Sequence, residues 1–441
     1  MSPIWNRPVA AALLAASLVG CDSTGPGPAD LTDVLLDFCG SDTPVFFGLQ
    51  NEGADWSRVT PDVQGTFAFQ ATRTFTLAIV HEVGGRVATE YIYATPGDIE
   101  SLNGVSCRER QGTKSLSGTV AGVPLGSGAV VTLANSDDVI EAPATSYQLV
   151  DLPNGPYDLV ATREQLGVSS VTPDRVIIRR AQDRTSGSAF PVLDFASTEA
   201  VPTVAHNVTA SGLSGNDINE YALTFSTLGT RRHSLSLVET FTSSTRPLRG
   251  IPQSLTQAGD YHELEVLADA GSAYRGSVHY YRQPGDRAVS LGSHLDNPTL
   301  TFLAGSSQLR PRTQLASQFE YGSMATVLLR QDVRTVAITA TSAYFGGTPV
   351  TWDLSFPDLT NMTGFPSGAR LQTGQTLSWN VEAYGGTGGL SAFFGKPSDG
   401  AVLNFAGRSF SSGGAVASQA ARAEGGSRRA PLSSRTRTRD R

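Results

Sequence analysis

Along most of this chain apolar and polar residues alternate with a period of two, the spacing of strands that bury one face. Phe67 and Phe69 share one face; Phe75, Leu77 and Ile79 share another; Val87, Thr89, Tyr91 and Tyr93 form a third set. Gly84-Gly85 and Thr95-Pro96-Gly97-Asp98 separate such runs and read as turns, since glycine accepts positive φ and proline presets a turn φ. The stretch 31–38 is too short to distinguish a helical turn from a strand. Further strands are predicted at 221–227, 234–240, 261–267, 276–282, 299–303, 325–329, 333–341, 350–356 and 376–384. No long run of helical period interrupts them, so the predicted class is all-β: serial β-sandwich domains.

Composition divides the chain further. Segments 32–110 and 111–196 each have the size of one sandwich, and 197–410 is either two domains meeting near 293–298 (197–295 and 296–410) or one larger unit. Residues 411–441 lose their apolar anchors and carry seven arginines against Glu424 and Asp440, which predicts a disordered basic tail. The net charge of −7 and the 17% of charged residues exclude a general nucleic-acid binder. Lys114 and Lys396 are the only lysines among 33 basic residues, a bias of genome composition and not of function.

The N-terminus has a different pattern. After Arg7 an apolar run extends from Val9 to Val19, broken only by Ser17. As a helix it would reach roughly 17 Å, well short of the ~30 Å hydrocarbon core, so it reads as the core of a signal peptide, residues 1–20. The run ends Leu18-Val19-Gly20-Cys21, which resembles the bacterial lipobox. That resemblance implies cleavage before Cys21 and a lipid on its sulfur, with 21–31 as the tether, so that membrane lipid is the first partner expected. Cys39 and Cys107 then remain. In an oxidising compartment they read as a disulfide of about 4 kcal/mol by loop entropy, the alternative being two buried free thiols.

A second resemblance lies at about 116–163. Leu116-Ser117-Gly118-Thr119-Val120 and 128–133 precede Tyr147-Gln148-Leu149-Val150-Asp151-Leu152-Pro153-Asn154-Gly155-Pro156-Tyr157-Asp158-Leu159-Val160-Ala161. This is similar to carboxypeptidase regulatory-like modules, transthyretin-like β-sandwiches that imply a spacer or accessory role and bring no catalytic residues. Pro156 directly after the turn glycine departs from that pattern.

Catalytic signatures are not found. Gly112-Thr113-Lys114 and Gly395-Lys396-Pro397 both fail as phosphate loops, no Gly-x-Ser-x-Gly elbow occurs, and His81-Glu82 lacks the second histidine of a zincin. His233, His262, His279 and His294 fall within 62 residues; they read as a metal pocket or, by alternation, as packed side chains. Asp137-Asp138 and Asn216-Asp217-Ile218-Asn219-Glu220 read as turn chemistry and not as a calcium loop. Tyr280, Tyr281, Tyr344, Phe345, Phe393 and Phe394 are candidates for a sugar- or peptide-binding platform or for core. No metal and no cofactor are expected. The function these features imply is that of a membrane-tethered, non-catalytic lipoprotein of the cell envelope, facing the periplasm or the exterior, with an envelope protein or polysaccharide as partner. Rival readings are an exported hydrolase built from dispersed Asp, Glu and His, and an outer-membrane barrel at 197–410.

Overall fold

The computed structural model describes residues 31–37, 43–63, 65–102, 112–166, 170–215, 217–227, 230, 232–240, 245–303, 309–359, 361–388, 390 and 397–412. The expected signal segment, Cys21, Cys39, Cys107, Phe393, Phe394 and the basic tail from 413 onwards lie outside them. Among the described residues the chain is all-β with one short α-helix, Pro96–Leu102.

The period of two is realised strand by strand. Thr66–Ala71 buries Phe67, Phe69 and Ala71, and Ile218–Ser226 buries Asn219, Tyr221, Leu223 and Phe225. The ambiguous 31–38 stretch contains the strand Thr32–Asp37. The turn expected at Thr95–Asp98 is instead a helix start. Pro96 occupies the first helical position, where a missing N–H costs nothing. The Asp98 carboxylate accepts from the Thr95 N–H at 2.9 Å and from its hydroxyl at 2.8 Å.

The strands build one long sheet. From one edge it runs Ser57–Arg58, Phe46–Asn51, Phe75–Val83, Arg86–Ala94, Arg334–Thr341, Met324–Gln331, Leu377–Gly386 and Val402–Ser412. It continues through Ala273–Tyr281, Tyr261–Asp269, Ile218–Ser226, His233–Thr240, Ser170–Gln182, Tyr157–Leu166, Ser127–Leu133 and Ser136–Glu141. Val201–Pro202 adds to Ser170–Gln182, completing 17 strands among the described residues. Among the described strands of this sheet only Arg86–Ala94 and Arg334–Thr341 pair in parallel; every other pairing is antiparallel.

Four small sheets cap this ribbon. The first is Thr32–Asp37 with Thr66–Ala71. The second is Ser146–Pro153, Gly112–Ala121 and Leu193–Asp194. Thr245–Gly250, Val204–Ser211 and Arg287–Ser290 form the third; Thr299–Phe302, Pro311–Ala316 and Thr351–Ser355 form the fourth. Each cap closes one apolar core on the ribbon. The caps fall one to a segment between the boundaries near 110, 196 and 295, while the ribbon's ladders run across all three.

Register and alternation assign the caps to faces. Phe75, Leu77 and Ile79 pack under the first cap, whereas Ala78 and Val80 of the same strand pack under the fourth. Leu159, Ala161 and Ile177 meet the second cap; Val160 and Val176, their sequence neighbours in the same strands, meet the third. The third and fourth caps therefore cover one face along the middle of the ribbon, and the first and second cover the opposite face at its two ends. Strands buried on both faces lose alternation, which explains the unbroken burial from Phe75 to Val80. The set Val87, Thr89, Tyr91 and Tyr93 does share a face, but that face belongs to the fourth core. Tyr91 meets the Phe356 ring edge-on at 5.4 Å, and the Tyr93 hydroxyl donates to the Ser355 carbonyl at 2.7 Å.

Candidate functional site

Between the first and second caps, no sheet among the described residues covers the middle of the opposite face. Its floor comes from Tyr261–Asp269, Ala273–Tyr281, Val402–Ser412 and Leu377–Gly386. Register places their side chains in rows: Tyr384, Phe405, Gly276 and Leu267 in one; Glu382, Gly407, Tyr274 and Asp269 in the next. Glycine makes both rows possible. A Cβ on Gly276 would lie 2.3 Å from the Phe405 ring, and one on Gly407 would lie 2.3 Å from the Tyr274 ring. Each aromatic ring thus lies flat across a neighbouring strand where no side chain rises.

Because Gly407 leaves that gap, Tyr274 reaches across it and donates its hydroxyl to Glu382. The Tyr384 hydroxyl donates to the other Glu382 oxygen, and Asn380 Nδ2 donates at 3.1 Å. Glu382 is buried, so these donors replace the water its carboxylate has lost. Burial, with Glu382 beside it, raises the Tyr384 hydroxyl well above its usual pKa, and it stays a donor. Along the same floor Tyr261 and Tyr280 meet edge-on at 5.9 Å. Glu263 lies 3.6 Å from the Arg232 guanidinium; burial raises its pKa while Arg232 acts to lower it. Leu390 and Ala401 pack over part of the floor, and Tyr261, Glu263, Glu265 and Tyr274 are half-buried. Aromatic faces beside fixed carboxylates suit a ligand with apolar C–H faces and donor hydroxyls.

The four clustered histidines do not converge. His233 bridges the Thr132 and Thr162 hydroxyls, at 2.8 Å from Nδ1 and 3.0 Å from Nε2, and burial pushes its pKa down to about 3. His262 accepts the Ile251 N–H at 2.9 Å, stacks on Tyr281 at 5.2 Å, and is likewise pushed by burial down to about 3. His279 pairs with the Ser277 hydroxyl at 3.0 Å, and His294 sits 3.9 Å from Asp217. Among the described residues no group of three His, Cys, Asp or Glu could hold a metal ion. Asp217 is committed to Arg275 at 3.0 Å, and Asp138 accepts the Gln148 N–H at 2.8 Å.

Of the aromatic candidates, Tyr280 lies on the uncapped floor. Tyr281 is buried in the third core beneath the Arg287 guanidinium at 4.2 Å. Tyr344 and Phe345 pack edge-on against Tyr93 and Trp352 at one end of the sheet. Sequence reasoning missed Tyr274, Asn380, Glu382, Tyr384 and Phe405. A signal was present in Asn-x-Glu-x-Tyr at 380–384, polar groups on one face of a strand, and in glycines 276 and 407 inside strands. No helix among the described residues is long and apolar enough to cross a membrane as a helix. Neither a protein-family model nor a curated protein matches the chain.

Proposed function

We propose that this chain is a membrane-tethered, non-catalytic binding protein of the cell envelope, anchored by lipid on Cys21, which holds a polysaccharide on the uncapped floor of its long sheet. The observation that carries the binding role is the Tyr274–Glu382–Tyr384 network, with Tyr274 laid flat over Gly407 and Phe405 over Gly276, beside half-buried Tyr261 and Glu263. The lipobox ending at Cys21 supports the anchor, with the chain beyond it facing the periplasm or the exterior. Residues 116–163 serve as a carboxypeptidase regulatory-like spacer. In support, Leu152-Pro153-Asn154-Gly155 turns the chain from the second cap into the ribbon, with Gly155 at φ 127°. A Cys39–Cys107 disulfide clasps the N-terminal part, and peptide mapping under non-reducing conditions tests it.

The binding test uses the full-length protein in membrane vesicles, mixed with soluble envelope polysaccharide and sedimented. The parent is expected to carry polymer down, and Tyr261→Ala with Glu263→Gln to lose most of that retention. Equal retention by parent and variant refutes the floor as the site. Shortened polymer refutes the non-catalytic reading in favour of a hydrolase. Metabolic labelling with a fatty acid tests the anchor, with Cys21→Ser expected to abolish the label.

A further inference from the structure

The first described strand, Thr32–Asp37, starts at the end of the sheet that carries Phe319, the most exposed aromatic side chain among the described residues. Thr32 pairs with Ala71, and the next residue, Thr72, donates its N–H to Asn51 Oδ1 at 2.9 Å. Asn51 pairs with Phe75, and Phe75 with Ala94. The parallel neighbour finishes at the same end, Ala340 opposite Tyr93, and Tyr344 then meets the Tyr93 ring at 5.3 Å. The Ser342 N–H donates to the Ser323 carbonyl at 2.8 Å, and the Ser317 N–H to the Val350 carbonyl at 3.0 Å. Leu31, the turn 317–323 and the turn 342–350 thus share one end. With strands about 4.8 Å apart and layers about 10 Å apart, the chain's entry point lies within roughly 20 Å of Tyr344.

At this end Phe319 is 100% exposed, Val350 90%, Leu31 53% and Phe345 39%. Scattered exposed apolar residues are ordinary, but Phe319, Phe345 and Val350 all rise from the turns 317–323 and 342–350, which the Ser317–Val350 and Ser342–Ser323 hydrogen bonds hold together. They give this end an apolar surface, while Leu31 leads into the first cap on the opposite face. Chain length selects the partner. Leu31 lies ten positions beyond Cys21, a stretch that spans at most about 35 Å, so a lipid on Cys21 keeps the start of the first strand within about 35 Å of the bilayer. The charged side chains nearby are exposed Asp33, Glu52, Asp55, Arg73 and Asp296 and half-buried Glu320, a mostly acidic set with no basic cluster. Apolar insertion, not attraction to anionic lipid, is the interaction this surface can make.

We propose that the Phe319, Phe345 and Val350 end inserts into the interfacial layer of the lipid bilayer and seats the folded chain on the membrane beside its tether. This rests on the reading of Cys21 as the lipidated residue. The test is the full-length lipidated protein carrying Phe319→Trp, reconstituted in phosphatidylcholine vesicles with bromine-labelled acyl chains. Native Trp352 and Trp379 are buried and Trp56 is half-buried, so the parent provides the baseline. The emission added at position 319 is expected to be blue-shifted and quenched by the bromine, while Phe319→Ser with Val350→Ser still floats with the vesicles. A protein that floats but shows unquenched, water-exposed emission from position 319 overturns the docking and leaves the anchor standing. A protein that does not float overturns both.

Discussion

Replacing Tyr91 by alanine tests whether the first and last parts of the chain share one core. Tyr91 belongs to the N-terminal segment, is 5% exposed, and meets Phe356 edge-on at 5.4 Å in the core that also holds Trp352 and Trp379. Truncating a buried aromatic ring costs about 3–5 kcal/mol, the lost edge-on contact included. With a urea dependence near the upper end of the usual range, about 3 kcal/mol/M, the unfolding midpoint should fall by about 1 M or more. The two buried tryptophans make intrinsic fluorescence a reporter of that core, although both lie more than 200 residues further along the chain. The measurement is the urea midpoint followed by tryptophan emission in parent and Tyr91→Ala. If the N-terminal segment folded on a core of its own, the tryptophan transition would stay in place, and an unmoved midpoint refutes the shared core.

Further outcomes follow from other contacts. Gly276→Ala puts a Cβ 2.3 Å from the Phe405 ring and should lower stability by about 1–3 kcal/mol; an unchanged thermal midpoint refutes the flat-ring geometry. Arg180 joins Asp158 at 2.8 Å and the buried Asp260 at 2.6 Å; Arg180→Ala should cost about 2 kcal/mol after discounting for partial exposure, read as a shift in the urea midpoint. His233 and His262 have folded pKa values pushed by burial from 6.5 down to about 3. Above pH 6.5 neither state binds the proton, so their contribution is complete. Below it only the unfolded chain takes up protons, and stability falls towards pH 3 by about 1.4 kcal/mol per pH unit for each imidazole. A urea midpoint that stays flat from pH 6.5 to 5 refutes this assignment.

The strands were legible because period-two burial is a local property. The patterns at 221–227, 261–267 and 325–329 needed only their own residues to mark a strand and its two faces. Partner choice was not legible. Val87, Thr89, Tyr91 and Tyr93 declare a common face, but nothing within Arg86–Ala94 says that its neighbour is Arg334–Thr341 or that its rings meet Phe356. The histidines show the same limit: nearness along the chain suggested a pocket, and alternation with pairing sent His233, His262 and His279 to separate surroundings. Glu382 escaped notice because one of its donors arrives from Tyr274, 108 positions away, through a gap that a glycine on an intervening strand creates.

The parallel contact between Arg86–Ala94 and Arg334–Thr341 also sets an order of events in time. Until residue 334 has been synthesised, the Arg86–Ala94 strand has one bare edge and its aromatic face lacks Phe356 and the rest of the fourth cap. Closing a loop of that length is slow, and the Tyr93–Ser355 bond, 262 positions apart, waits longer still. The sheet is therefore completed late, after most of the chain has been delivered. Until then the waiting edge stays open to pairing with other parts of the chain or with other chains.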